Sequence, residues 1–395
     1  MNNFDYLCNK NAVAKNFGKN HFVDRKLNFK VLEGATVLPT KNIFVDGQWT
    51  WGSGGLVDNC GHFVKESFIF NGAGDAYTPT DVAQSSATVV YLGMFYPVWG
   101  HCLNDNIRRL WFLQSDAFKD YFKDCALVYV AWRDIPLTAQ KNFCRLLELL
   151  DVDVERLQVI TRPTRFENVI LPDESFFATD DTRFFTPEYR ETIDRVKSFA
   201  LKNRTPSAEK VYFFHGANQF GEKRLANYFG AKGYAIVRPE ELTLDAQLNI
   251  LINARILAST LGSSSHNSIF LREGAEAIWI PRAPNKFTGG YQQAMDQAAK
   301  LNVTYVDSSL SIFEDFREPH CYIVSRGLKK FFGDNFSGYV DDDLKTFAQH
   351  LKDGLTRGLK INPDAENYYG ETLREVLTQL KARPDLMATY GVNLS

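Results

Sequence analysis

LASTLGSSSHNSIFLREGAEAIWIP, residues 257–281, packs four structural signals into one run. An apolar strand enters a Gly-Ser turn, a helix is expected to open at that turn with Asn267 in its first residues, and a second apolar strand, Ala277–Ile280, follows. A strand–turn–helix–strand series is how α/β proteins present backbone N–H groups to a phosphate. Gly262, Ser263, Ser264, Ser265, His266 and Asn267 add hydroxyl, imidazole and amide groups to those N–H groups, which suits a diphosphate without requiring a metal. The alternative is that the serines simply cap a helix.

Working outward, the same alternation continues on the N-terminal side. Lys210–Phe214 reads as a strand, residues 215–218 as a loop, Phe220–Lys232 as a helix, Tyr234–Val237 as a strand and Thr243–Ala254 as a helix. Val303–Val306 is the expected last strand of this series. An earlier series has strands at Thr88–Leu92, Ala126–Ala131, Leu157–Ile160 and Asn168–Leu171, with a helix from His101 onward and an amphipathic one over Thr138–Leu150. Strands alternating with helices argue for parallel sheets with crossover helices. The expected division is residues 1–203 as one Rossmann-like domain with a β-rich extension over 1–85, 204–340 as a second, and helices over 341–395 packing back across both. The extension carries a hairpin signal, Ile43–Trp51 around Asp46-Gly47.

The chain has 395 residues, enough for two such domains, with 45% hydrophobic and 14% aromatic residues to build their cores. A net charge of −2 gives no global case for a nucleic-acid partner. No apolar run reaches the ~20 residues that span a bilayer, and MNNFDYLCNKN lacks a signal-peptide core, so the expected location is the cytoplasm, with peripheral attachment to the inner membrane face left open. The six cysteines fit no zinc spacing and read as small buried hydrophobes.

Several residues carry candidate chemistry. His101 and Asp105, four apart on one expected helix, share a face and offer a general base with a partner; a capping carboxylate beside a solvated histidine is the bland alternative. Asn104 and Arg109 lie beside them, although Arg108-Arg109 could equally be a solvated pair. His215, Gly216 and Asn218 end a strand at the sheet edge where α/β proteins bind ligands. Arg224 could pair with a pyrophosphate bidentately, and Glu241 could meet a base or ribose or merely cap the next helix. The acidic pairs at 151–153, 180–181 and 341–343 read as turn, loop and helix-start residues, so no metal site is assigned. GxGxxG, P-loop, GxSxG and HExxH patterns are absent.

Two Rossmann-like halves in tandem suggest the GT-B architecture, two domains facing across a cleft. YPVWGHCLNDNIRRLWFL resembles the "GHWFFDNLPRLWLL" segment of glycosyltransferase family 61 (the DUF563 group), which includes capsule-synthesis enzymes. VYFF, EKRLANYF, GYAIVRPEELTLDAQLNILINARILAS and GSSSHNSIFLREGAEAIWIP then follow that family's C-terminal half in order, so that the resemblance covers about Thr88–Pro281. Two departures stand out: His215 occupies the place of a family arginine, and Leu261 that of the histidine in "HGAGLTN", whereas Gly262 and Asn267 are kept.

The resemblance implies an inverting glycosyltransferase with no cofactor beyond its nucleotide-sugar co-substrate, a UDP-sugar first, and a saccharide or lipid-linked saccharide acceptor. Asp105 or His101 would be the base, Asn104 and Arg109 would hold the acceptor, and His215, Gly216, Asn218, Arg224, Glu241 and Gly262–Asn267 would hold the donor. A non-catalytic nucleotide- or sugar-binding module on the same fold is the competing expectation. A scaffold role at a membrane rests on the aromatic loop Phe176–Phe185 alone.

Overall fold

The computed structural model describes residues 2–6, 19–41, 43–45, 48–50, 52–67, 75–133, 135–179, 182–214, 221–281, 290–306, 308, 322, 324 and 326–335. The expected tail helices, the turn at Asp46-Gly47, and Asp180-Asp181 lie outside these residues.

The strands in chain order are β1 (Asn2–Tyr6), β2 (Phe29–Glu33), β3 (Thr36–Lys41), β4 (Phe44–Val45), β5 (Gln48–Trp49), β6 (Ser53–Val57), β7 (Phe63–Val64), β8 (Ala83–Phe95), β9 (Ala126–Ala131), β10 (Leu157–Val159) and β11 (Thr164–Pro172). They continue through β12 (Phe176–Thr179), β13 (Thr182–Phe185), β14 (Lys210–Phe213), β15 (Ala235–Val237), β16 (Ile256–Thr260), β17 (Glu276–Ile280) and β18 (Asn302–Val306). The helices that matter below are α1 (Trp99–Cys102), α2 (Lys141–Leu149), α3 (Pro187–Lys202), α4 (Glu222–Ala231), α5 (Leu244–Asn253) and α6 (Gly290–Ala298).

The protein is α/β, and each of its two large sheets contains a block of parallel strands. The second is parallel throughout, ordered β1-β18-β17-β16-β14-β15. Numbered from β14, its five sequential strands run 2-1-3-4-5, an order that reverses between β14 and β16. The first sheet has a parallel block, β10-β9-β8-β11, in the order 3-2-1-4, which reverses between β8 and β11. Antiparallel β2 and β3 pair with β11, and β6 and β7 extend the sheet from β3. Val89–Phe95 of β8 is buried on both faces, which explains its unbroken apolar run. The 44–49 hairpin forms as expected, with Phe44 opposite Trp49.

The expected grouping of 1–203 into one unit does not extend to its first strand, because β1 joins the second sheet as the parallel neighbour of β18. Nor is there a break in the core at 203/204. One apolar cluster runs from Val90 and Leu127 of the first sheet through Ile193 and Val196 of α3 and Leu248 and Leu251 of α5 to Val211 and Leu257 of the second. Among the described residues no helix is long and apolar enough to cross a membrane.

Candidate active site

In open α/β sheets, ligands bind beyond the carboxyl ends of the strands, where the order reverses. In the first sheet those ends are the segment after β8, beginning at Tyr96, and the segment after β11, beginning at Asp173. The expected helix from His101 is not formed. One helical turn, α1, is followed by turns over 103–109 and a 3-10 helix over Leu110–Gln114. Local side-chain bonds explain the difference. Asn104 Oδ1 accepts from the Asp105 N–H at 2.7 Å, and Asn106 both accepts from the Tyr96 N–H and donates to the Tyr96 carbonyl, each at 2.9 Å. Asn and Asp side chains that bond nearby backbone compete with helix formation.

His101 and Asp105 nevertheless meet, Nδ1 to Oδ2 at 2.5 Å. The histidine side chain keeps 26% of its surface exposed and the carboxylate 3%, so the imidazole is the outer member of the pair. Tyr96 stacks on the His101 ring at 4.6 Å, and the Tyr291 ring stands edge-on to it at 6.3 Å. Behind Asp105, Arg108 lies at 3.9 Å and also reaches Glu174 at 3.3 Å, and Glu174 accepts from Arg109 Nη2 at 2.9 Å. Arg109 also donates to the carbonyls of Pro172, at 3.0 Å, and Glu66. Both arginines are buried, so the solvated-pair alternative is overturned. Asn104 and Arg109 are closed to solvent and bonded to protein, and this does not fit the acceptor contacts expected of them.

In the second sheet the reversal point is the end of β16, and there stands the cradle. Its helix is a 3-10 turn, Ser265–Phe270. Ser265 is wholly buried; its Oγ bonds to the Gly262 carbonyl at 2.7 Å and Gln292 Oε1 at 2.6 Å, while accepting from the Gly262 N–H at 3.0 Å. His266 turns to Gln292 as well, Nδ1 to Oε1 at 3.0 Å. Asn267 accepts from the Trp99 indole N–H at 3.0 Å, a bond that joins the cradle to α1 of the first sheet. Gly100 sits against the same cradle: a Cβ there would lie 2.8 Å from His266 Cδ2 and 3.1 Å from Ser263 Oγ.

A cavity of ≈560 Å³ opens beside this joint. Ser263, Ser264, Asn267, Glu241, Thr243, Trp99, Gln140 and Lys141 are among its lining residues. Four expected donor residues therefore share one cavity. Ser265 is spent internally, and His266 points to the Tyr291–Gln292 side. Arg224 is half-buried on α4, outside the cavity lining, and Glu241 pairs with Arg238 at 2.5 Å. His215, Gly216 and Asn218 lie outside the described residues.

Asp153 caps a 3-10 turn by accepting from the Glu155 N–H at 3.0 Å, in keeping with its reading as a turn residue. Asp58, Cys60 and His62 form a grouping of metal-capable side chains on the exposed β6–β7 turn, but the Asp58 carboxylate already accepts the N–H groups of Cys60 at 2.9 Å and His62 at 2.8 Å.

Residues 99–278 match the family model described as Glycosyltransferase 61. The likeness is to glycosyltransferase family 61, over 180 of the 395 residues. The matched span starts at the Trp99 that bonds the cradle, just after β8, and ends in β17, so it contains the cradle and the segment after β11. The match supports a glycosyltransferase reading of the chain, which implies a sugar donor and a saccharide acceptor. No curated protein matches the chain.

Sequence reasoning missed Lys141, Glu174, Gln292 and Asp296. Lys141 opens an ordinary amphipathic helix, and Glu174 lies in a segment that reads as irregular connection. Gln292 and Asp296 are polar residues four apart, a spacing that normally marks a solvated helix face, yet both are buried.

Proposed function

We propose that the chain is an inverting, metal-independent glycosyltransferase of GT-B type. It moves a sugar from a nucleotide donor, a UDP-sugar first, to a saccharide or lipid-linked saccharide in capsule or surface-polysaccharide synthesis. A cytoplasmic placement at the inner membrane face belongs to the same proposal. The observation that carries this reading is the joint between the two reversal points: the Trp99 indole of the His101–Asp105 turn bonds Asn267 of the phosphate cradle at 3.0 Å. A base and a donor site on separate sheets are thereby held side by side.

Exposure supports one division of roles within the His101–Asp105 pair. Asp105, the buried member, accepts the Nδ1 proton and holds the ring, so that Nε2 is the basic nitrogen of the outer member. Nε2 takes the proton of the acceptor hydroxyl as its oxygen bonds to the anomeric carbon. The carbon–oxygen bond to the diphosphate breaks, and its electron pair leaves with the nucleoside diphosphate. Asp105 stabilises the imidazolium so formed. Lys141 lines the same cavity as Ser263 and Ser264, which would put a cation and hydroxyls where the leaving charge develops. Arg224 remains a candidate for the far side of the diphosphate.

The test is a mass-spectrometric screen of nucleotide sugars against crude glycan acceptors, run with and without excess EDTA. Released nucleoside diphosphate and a glycosylated acceptor, unchanged by the chelator, are expected. Leu261, standing where the family has histidine, favours a second reading, a binding module without turnover. Calorimetric binding of a nucleotide with no donor turnover would decide for it.

A further inference from the structure

We propose that Gln247 is a specificity-determining residue of the donor site, its Oε1 accepting a ring N–H of the nucleobase, N3–H of uracil in a UDP-sugar. The inference rests on the donor reading above and adds the part of the nucleotide that the cavity selects.

Gln247 lies near the start of α5 and is buried in the wall of the ≈560 Å³ cavity. Its side-chain NH₂ is spent on the turn that follows β15: Nε2 donates to the Pro239 carbonyl at 2.8 Å and to the Leu242 carbonyl at 3.1 Å. Those two bonds use both hydrogens and fix the amide. Turned the other way, the amide would set its oxygen against two carbonyl oxygens. Oε1 is thus held on the opposite edge, and it has no hydrogen-bond partner among the described residues. A buried acceptor left unpaired costs stability that a native protein rarely gives up without a use. Asn142, another amide of the same wall, shows the contrast. It donates from Nδ2 to the Leu242 carbonyl and accepts the Leu244 N–H on Oδ1, each at 2.9 Å, so both of its ends are engaged.

The place of this acceptor along the sheet selects the base over the rest of the nucleotide. The sheet order is β16-β14-β15, so the turn that Gln247 holds stands two strand spacings, about 10 Å, from the strand that ends in the cradle. A nucleoside diphosphate with its phosphates at Ser263 and Ser264 covers that distance with its ribose and base. The turn carries two carboxylates, Glu240 and Glu241, against the one guanidinium of Arg238 that pairs with them, so it disfavours a phosphate. Pro97, Phe143, Pro239 and Leu242 bring apolar surface to the cavity lining, which suits a ring. A ribose hydroxyl can donate or accept and needs no fixed acceptor, whereas a ring N–H can only donate. At the same ring position uracil carries a hydrogen and cytosine a lone pair.

The experiment is calorimetric titration of the full chain with UDP and with 3-methyl-UDP, in which a methyl group replaces the N3 hydrogen, repeated on Gln247→Met. Wild type is expected to bind 3-methyl-UDP about ten- to a hundredfold more weakly than UDP, the range for leaving a buried acceptor unpaired. That comparison alters the probe and leaves the protein intact. In Gln247→Met the difference between the probes is expected to shrink to within about threefold, even where the released 239–242 turn weakens the binding of both. Equal affinities in wild type overturn the inference, and so does a difference that persists in folded Gln247→Met.

A second readout needs no variant. With ¹⁵N-labelled UDP bound to wild type, the N3 imino proton is expected to be protected from water and to show a nuclear Overhauser effect to the Gln247 side-chain NH₂; an imino signal lost to exchange in the complex overturns the contact. If neither UDP nor 3-methyl-UDP binds wild type, the donor reading fails and takes this inference with it. UDP that binds with no preference over 3-methyl-UDP sinks the inference alone.

Discussion

Replacing Asp105 by Asn keeps the shape of the site and removes one charge, and the consequence can be estimated from the geometry. Asp105 Oδ2 lies 2.5 Å from His101 Nδ1 on a side chain that is 3% exposed. When His101 takes the acceptor's proton it becomes a cation whose charge centre is about 4 Å from the carboxylate, an attraction of ~4 kcal/mol at an effective dielectric of about 20. Asparagine forfeits that term and can present its carbonyl or its NH₂ to Nδ1; the latter would leave the proton on Nε2, where a base is needed. A loss of ~4 kcal/mol is about a thousandfold in rate, within the usual range for general-base catalysis. The expected result is therefore kcat down about 10³-fold with the donor dissociation constant changed less than about threefold.

The fold should survive, because Arg108 keeps Glu174 at 3.3 Å when Asp105 loses its charge. Melting temperature, donor binding by calorimetry and steady-state transfer separate the terms. His101→Gln should cost about as much as Asp105→Asn, and the double variant little more, as befits groups that act as a unit. A folded Asp105→Asn enzyme with kcat within threefold of wild type would refute the reasoning, as would losses that simply add.

Three further perturbations test separate parts of the account. Gly100→Ala places a Cβ 2.8 Å from His266 Cδ2 and 3.3 Å from the Ser263 Cα, so it should cost ~1–3 kcal/mol in a denaturant melt and weaken nucleotide binding, while unaltered stability and binding would mean that the joint is slack. Lys141→Ala should raise the donor KM about tenfold, ~1.4 kcal/mol, and reduce the salt dependence of nucleotide binding; an unchanged KM removes Lys141 from the donor site. Asp296 carries a folded-state value of about 7 against an ordinary 3.8, so between those values the folded chain binds the extra proton and stability falls as pH rises. Up to ~4 kcal/mol is involved, and Asp296→Asn should flatten the pH dependence of the melt; an unchanged slope assigns it to other groups.

The cradle was legible in the sequence because each piece is local: an apolar strand, a Gly-Ser turn and a second apolar strand, all observed around 256–280. What could not be read there was the strand order. Nothing in Lys210–Phe213 or Ile256–Thr260 says that they are neighbours, yet that pairing puts the cradle at a reversal point. The helix from His101 failed for the opposite reason. Its apolar spacing is helical, and Leu103, Ile107 and Leu110 are all buried, but Asn104 and Asn106 spend their side chains on local backbone and the chain turns instead. His101 and Asp105 still meet, by a turn in place of a helix face.

Neither the acceptor role expected of Arg109 nor the solvated-pair alternative for Arg108-Arg109 anticipated their burial, because their partner, Glu174, arrives 65 residues after Arg109 from the end of another strand. Gln292 and Asp296 were invisible for the same reason: their partners Ser265, His266, Ser268 and Trp279 come from elsewhere in the chain. Expectations that concern one element's own chain survived well, and those that depend on which distant side chain fills a buried site did not.

The most direct test is a proton NMR time course of the transfer reaction, following the anomeric signal of the nucleotide sugar into product. A single displacement driven by the His101–Asp105 pair predicts that the donor signal is replaced by a product of inverted anomeric configuration, with no such conversion in Asp105→Asn over the same interval. A product that keeps the donor's configuration, or a nucleotide sugar that binds and is never consumed, would contradict the account.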